Sequence, residues 1–216
     1  VEGTVTLHHL RSHPPASSRV GRFHAHLTVE CADLAAFAAF CPRIAAKATV
    51  VDLQRADRTQ RDAMATRYFV DEAAGAVARI ASTLSSAGEA LEAAGFPVLR
   101  VKLEHEGGSA DAEYDAARYH EVHVKLAIPA ASFDAVRPRL DGLFPGAVPS
   151  RNPAERTAEV VHQFVNLRCR EGGRADADRT VAALLAAIAP LGVYVAETRR
   201  EDVVFDTATG LDRWWA

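Results

Sequence analysis

Two short alternating runs hold the side chains with the most chemical capacity. From Arg22 to Cys31, the positions Phe23, Ala25, Leu27, Val29 and Cys31 are apolar, and His24, His26, Thr28 and Glu30 alternate with them. A period of two sends such residues to opposite faces of a strand, one face for a core and one for chemistry. From Tyr119 to Leu126 the arrangement returns, with Val122, Val124 and Leu126 apolar and Glu121, His123 and Lys125 opposite them. Imidazoles change charge near neutral pH, so His26 and His123 suit the taking and giving of protons. Arg100, Lys102 and Lys125 would counter charge that develops on a transferring group.

The same strands also read as metal ligands. His24-x-His26 sets two imidazoles about 7 Å apart on one strand face, close enough to share an ion. Glu121-x-His123 is the counterpart, and Glu30 or Glu104 could orient the rings from behind. His24, His26, Glu121 and His123 together would suit a divalent transition metal such as zinc, iron or manganese. A third reading makes these histidines only the lining of the interface between the repeats, hydrogen-bonded to Glu104 or Glu121 with no ligand, and a fourth is a non-catalytic small-ligand or interaction module.

The elements that position these runs follow from periodicity and breakers. After the first strand, Asp33 caps a helix carrying Leu34, Phe37 and Phe40, which Pro42 ends. Strands are expected at about 48–54 and 65–70, with a polar loop at 55–62 between them. A helix at about 72–94 follows, closed by Gly95, and then a strand over 97–105. From 119 the order βαββαβ begins again: a strand, a helix from a Ser132 cap to about 143, a short strand near 147, a strand over 159–170, a helix over 176–190 ended by Gly192, and a strand over 193–200. His26 and His123 are 97 residues apart, Phe69 and Phe164 are 95, and Gly95 and Gly192 are 97. Constant offsets across unlike elements point to duplication. The expected fold is α/β, of the α+β type: two tandem ferredoxin-like βαββαβ repeats with a groove between their open sheet faces. The expected parts are an arm (1–21), repeat 1 (22–105), a linker (106–118), repeat 2 (119–200) and a tail (201–216) that packs on the body. The linker contains Gly107, Gly108 and Ser109, with Asp111, Glu113 and Asp115 as a solvated charge run. His8, His9 and His13 lie in the arm, and Arg151-Asn152-Pro153 reads as a turn.

His26-Leu27-Thr28-Val29 resembles the His-x-Thr/Ser motif of the two-histidine phosphoesterase superfamily, bilobal duplicated proteins related to RNA ligases and cyclic phosphodiesterases. That resemblance implies His26 and His123 as acid and base, Thr28 as a phosphate-holding hydroxyl, and Lys125 where a second Ser or Thr would stand. It implies a phosphoester hydrolase or transferase for a nucleotide-like or other small phosphorylated substrate, with no cofactor. Arg100, Lys102, His162 and Asn166 are the expected substrate-binding residues on the same faces.

Composition removes other classes. The 216 residues carry a formal net charge of −3, which gives no reason to expect bulk nucleic-acid binding. No apolar run approaches the roughly 18 residues that span a bilayer, and the N-terminal stretch lacks a signal-peptide core, so a cytoplasmic location is expected. The first residue is Val1, which leaves room for a removed leader. Three cysteines, Cys31, Cys41 and Cys169, lack CxxC spacing, which argues against a disulfide framework and a thiolate zinc site. Cys31 and Cys169, on the apolar parity of their strands, read as small buried hydrophobes, and Trp214 and Trp215 as a packing plug.

Overall fold

In the computed structural model, residues 19–55, 58–106, 119–152, 157–170 and 173–208 are described. The arm histidines, the 107–118 linker, Pro153 and the two tryptophans lie outside the described residues. The alternating run forms β1 (Gly21–Val29), followed by α1 (Leu34–Phe40), β2 (Lys47–Arg55), β3 (Arg58–Asp71), α2 (Ala76–Ala93) and β4 (Val98–Glu106). The second half supplies β5 (Tyr119–Pro129), α3 (Phe133–Leu140), β6 (Ala147–Arg151), β7 (Val160–Cys169), α4 (Gly173–Ile188) and β8 (Tyr194–Asp206). Among the described residues, no helix is long and apolar enough to cross a membrane.

Local signals account for several boundaries. The Asp33 carboxylate accepts from the N–H groups of Ala35 and Ala36, both at 3.0 Å, which satisfies two donors the first turn of α1 leaves open. Pro42 then allows only a single tight turn over Cys41–Ile44. At the end of α2 the chain reverses through Gly95, whose φ of 87° suits glycine, and the Phe96 N–H returns to the Leu91 carbonyl at 3.0 Å. Ser132 does not cap α3; it ends the one-turn helix Ala130–Ser132 and makes no capping hydrogen bond.

The strand order corrects the expected fold class. The eight strands join in one closed order, β1-β3-β2-β6-β7-β5-β8-β4, a mostly strand-built antiparallel barrel with four short helices. Two ferredoxin-like repeats with open sheets and a groove are therefore not what this chain forms, and the α/β duplication is not its description. The order of elements does recur, but strand edges expected to stay free are hydrogen-bonded. Asp52 and Leu53 of β2 pair with Arg151 and Ser150 of β6. At the other join, the Thr207 N–H donates to the Val101 carbonyl at 3.1 Å, and Thr207 Oγ1 accepts from the Val101 N–H at 2.9 Å. Two lengths were also underestimated: β3 starts at Arg58, inside the expected loop, and β8 runs to Asp206, six residues into the expected tail.

The chain divides into two compact units. Unit 1 holds residues 1–49, 62–118 and 202–211, and unit 2 holds 50–61, 119–201 and 212–216. Within unit 1, Phe23, Ala25 and Leu27 of β1 pack with Phe37, Ile80, Leu84, Leu91, Val101 and Leu103, and β8 adds Val204 and Phe205. Within unit 2, Val122, Val124, Leu126 and Ile128 of β5 pack with Val161, Val165, Leu167, Val181, Leu184 and Ile188. A fully buried Leu or Phe contributes about 1.5–3 kcal/mol, so these faces fix which way each strand turns. The polar positions are thereby committed to the other face.

Candidate active site

Register within unit 1 sets the polar residues in rows. His24 lies opposite Glu104 of β4 and Tyr68 of β3, His26 opposite Lys102 and Thr66, and Thr28 opposite Arg100 and Met64. Directly paired residues are the nearest neighbours across a sheet, so His26, Thr28, Lys102 and Arg100 form one block. His26 is held at both ring nitrogens. Its Nε2 is 2.9 Å from Glu104 Oε2 and its Nδ1 is 3.0 Å from Thr66 Oγ1, which in turn bonds Thr49 Oγ1 at 3.0 Å. Glu104 is almost wholly buried and its other oxygen is ion-paired with Lys102.

The remaining groups of unit 1 are paired as well. Arg100 forks onto Asp206 at 2.9 and 2.6 Å. His24 Nε2 is 2.5 Å from Glu106, and its ring stands edge-on to Tyr68 at 4.6 Å between centroids. The two imidazoles of the His-x-His pair thus bond different carboxylates. His105 is structural. Its Nε2–H donates to the Val20 carbonyl at 2.9 Å, its Nδ1 accepts from Arg19 at 3.2 Å, and Arg19 is ion-paired with Asp202.

Unit 2 presents a second arrangement. Glu121 lies opposite Arg168, His123 opposite Asn166 and Lys125 opposite Phe164. The Asn166 amide group donates to the Val148 carbonyl at 2.9 Å and to Ser150 Oγ at 2.7 Å, so its oxygen is left to accept from His123 Nδ1–H at 2.7 Å. His123 Nε2 faces Glu201 at 3.1 Å and Glu121 at 3.5 Å, and Arg168 donates to Glu121 at 2.6 Å. Burial acts against the charged ring, but hydrogen bonds to Glu121 and Glu201, helped by their charges, raise the His123 pKa well above 6.5. The two carboxylates thus favour the protonated form of His123.

No family model and no curated protein matches this chain.

The other expected site residues are dispersed. Lys125 lies over the Phe164 ring, 5.5 Å from its centroid. His162 pairs with Ala127, four residues before Asn166 and about 13 Å along the strand from it. The cysteines are not reactive thiolates. Burial pushes Cys41 up to about 11 and also raises Cys31 and Cys169.

Sequence reasoning passed over Thr66, Glu106, Arg168, Glu201, Asp202 and Asp206. Arg168 lay on the parity of Asn166, and Thr66 on the face opposite Ala63 and Ala65. The acidic residues of β8 could have been found by noticing that no breaker separates Arg200 from Val203.

Proposed function

We propose that this protein is a phosphoester hydrolase or transferase acting on a small phosphorylated substrate, with His26 as its proton-transfer group. The observation that carries the reading is the Glu104–His26 pair. A buried carboxylate on Nε2 fixes the ring and stabilises the imidazolium that forms when Nδ1 takes a proton. Beside it, Thr28 offers a hydroxyl, and Lys102 and Arg100 offer positive charge on the same sheet face. A phosphate there would share Lys102 with Glu104 and Arg100 with Asp206, which favours compact, highly charged substrates. The His-x-Thr resemblance supports His26 in proton transfer and Thr28 as a phosphate-holding hydroxyl.

The test is turnover of a panel of cyclic and linear phosphodiesters by the chain as purified. His26→Ala is expected to reduce turnover at least 100-fold while leaving the circular dichroism spectrum unchanged. Turnover should also survive exhaustive chelation. Elemental analysis separates this from the divalent-metal reading built on the same histidines. About one transition ion per chain, with activity abolished by chelation, would replace the proposal with the metal reading.

A further inference from the structure

Glu104, His26 and Thr66 stand in the order carboxylate, imidazole, hydroxyl, with spacings of 2.9 and 3.0 Å. A nucleophile within hydrogen-bond reach of a base that a third group orients is the arrangement that activates a hydroxyl for covalent catalysis. Three elements deliver it: Glu104 from β4, His26 from β1 and Thr66 from β3, locked by the direct pairing of His26 with Thr66. Rigid strands hold such geometry more closely than loops do. We propose that Thr66 Oγ1 is the nucleophile of this site and is transiently phosphorylated or phosphonylated.

The proposal rests on the phosphoester reading and adds a covalent step to it. Thr66 Oγ1 attacks phosphorus and its proton passes to His26 Nδ1, while Glu104 holds the Nε2–H side of the ring. The bond from phosphorus to the leaving oxygen breaks, and that oxygen receives the proton from His26. In the second half, a water gives its proton to Nδ1, attacks phosphorus and frees the Thr66 oxygen, which takes the proton back. Thr49 has a positioning role. Thr66 Oγ1–H donates to Thr49 Oγ1 at 3.0 Å, and because hydroxyls rotate the pair can reverse, Thr49 then donating and the Thr66 proton turning towards His26. Lys102, ion-paired with Glu104, keeps that carboxylate in place.

The experiment uses a fluorophosphonate probe, on which attack by Thr66 forms an oxygen–phosphorus bond and expels fluoride. Intact mass and peptide mapping of the full chain should show one adduct, on Thr66. Thr66→Ser should keep the adduct, Thr66→Val and His26→Ala should abolish it, and Glu104→Gln should slow its formation at least tenfold. Thr66→Val matches the shape of Thr, and circular dichroism confirms that it folds. An adduct elsewhere overturns the assignment. So does turnover of phosphodiesters by Thr66→Val at the parent rate, and in that case His26 chemistry survives with water as the direct nucleophile. Absence of both adduct and turnover in the parent chain overturns this step and the phosphoester reading together.

Discussion

His26 and His123 both lie on the first strand of a βαββαβ run, opposite a polar residue of a neighbouring strand, yet their Nδ1 atoms meet partners of different chemistry. His26 faces a hydroxyl that can give or take a proton, in a pair with Thr49 whose direction can reverse. His123 faces an amide oxygen whose orientation is dictated by Val148 and Ser150, and two carboxylates occupy its other side. The first ring can exchange its protons without any group being left unpaired. The second cannot, because its partners among the described residues are all acceptors. Two histidines from matching strands thus meet a hydroxyl in one case and only acceptors in the other, and the difference resides in Thr66 against Asn166.

The largest expected effect is on stability. His123→Ala leaves Glu201 and Glu121 without the cation between them, and should cost about 3 kcal/mol in urea unfolding at pH 6. His26→Ala removes one ring from a carboxylate that Lys102 still neutralises, and should cost about 1 kcal/mol. Equal costs would break the comparison.

A pH series sharpens it. The folded pKa of His123 lies above its ordinary 6.5, so the stability it supplies is present in full below pH 6.5 and is lost as pH rises through the raised value. The gap between the parent chain and His123→Ala should therefore shrink on going upward from pH 6.5. A gap that stays constant up to pH 9 would mean that the ring does not exchange its charge on folding.

The smallest expected effect concerns the lock on Asn166. Ser150→Ala removes one acceptor and should cost about 0.5 kcal/mol, while the Val148 carbonyl keeps the amide in place. The nitrogen chemical shifts of His123 should not move in that variant. Movement comparable to that produced in His26 by Thr49→Val would show that the two rings are held alike.

Much of this arrangement was legible in the sequence. Strict alternation around His26 and His123 gave the two faces of β1 and β5, because a period of two leaves one answer once a core must be buried. Asp33, Pro42, Gly95 and Gly192 marked real boundaries, each through a backbone requirement that few residues meet. The closed strand order was not legible. Parity assigns faces but says nothing about which strand edges meet, and the pairing of Asp52 with Arg151 joins segments about a hundred residues apart. The carboxylates of β8 were hidden for a related reason. Glu201, Asp202 and Asp206 fall in what reads as a packing tail, and nothing marks them as buried ion-pair partners until Arg19, Arg100 and His123 are known to lie beside them.

The reliance of unit 1 on residues 202–206 also sets an order of events during synthesis. Arg19 and Arg100 leave the ribosome long before Asp202 and Asp206 exist, separated from them by 183 and 106 positions. Val204 and Phe205 reach the unit 1 core equally late. A nascent chain therefore carries two buried-to-be guanidinium groups and an unfinished apolar core until residues 202–206 have been made. Such high contact order predicts slow closure of unit 1, beginning only after residue 206 has emerged. A stop codon placed before Asp202 should yield a chain that is captured by chaperones or degraded.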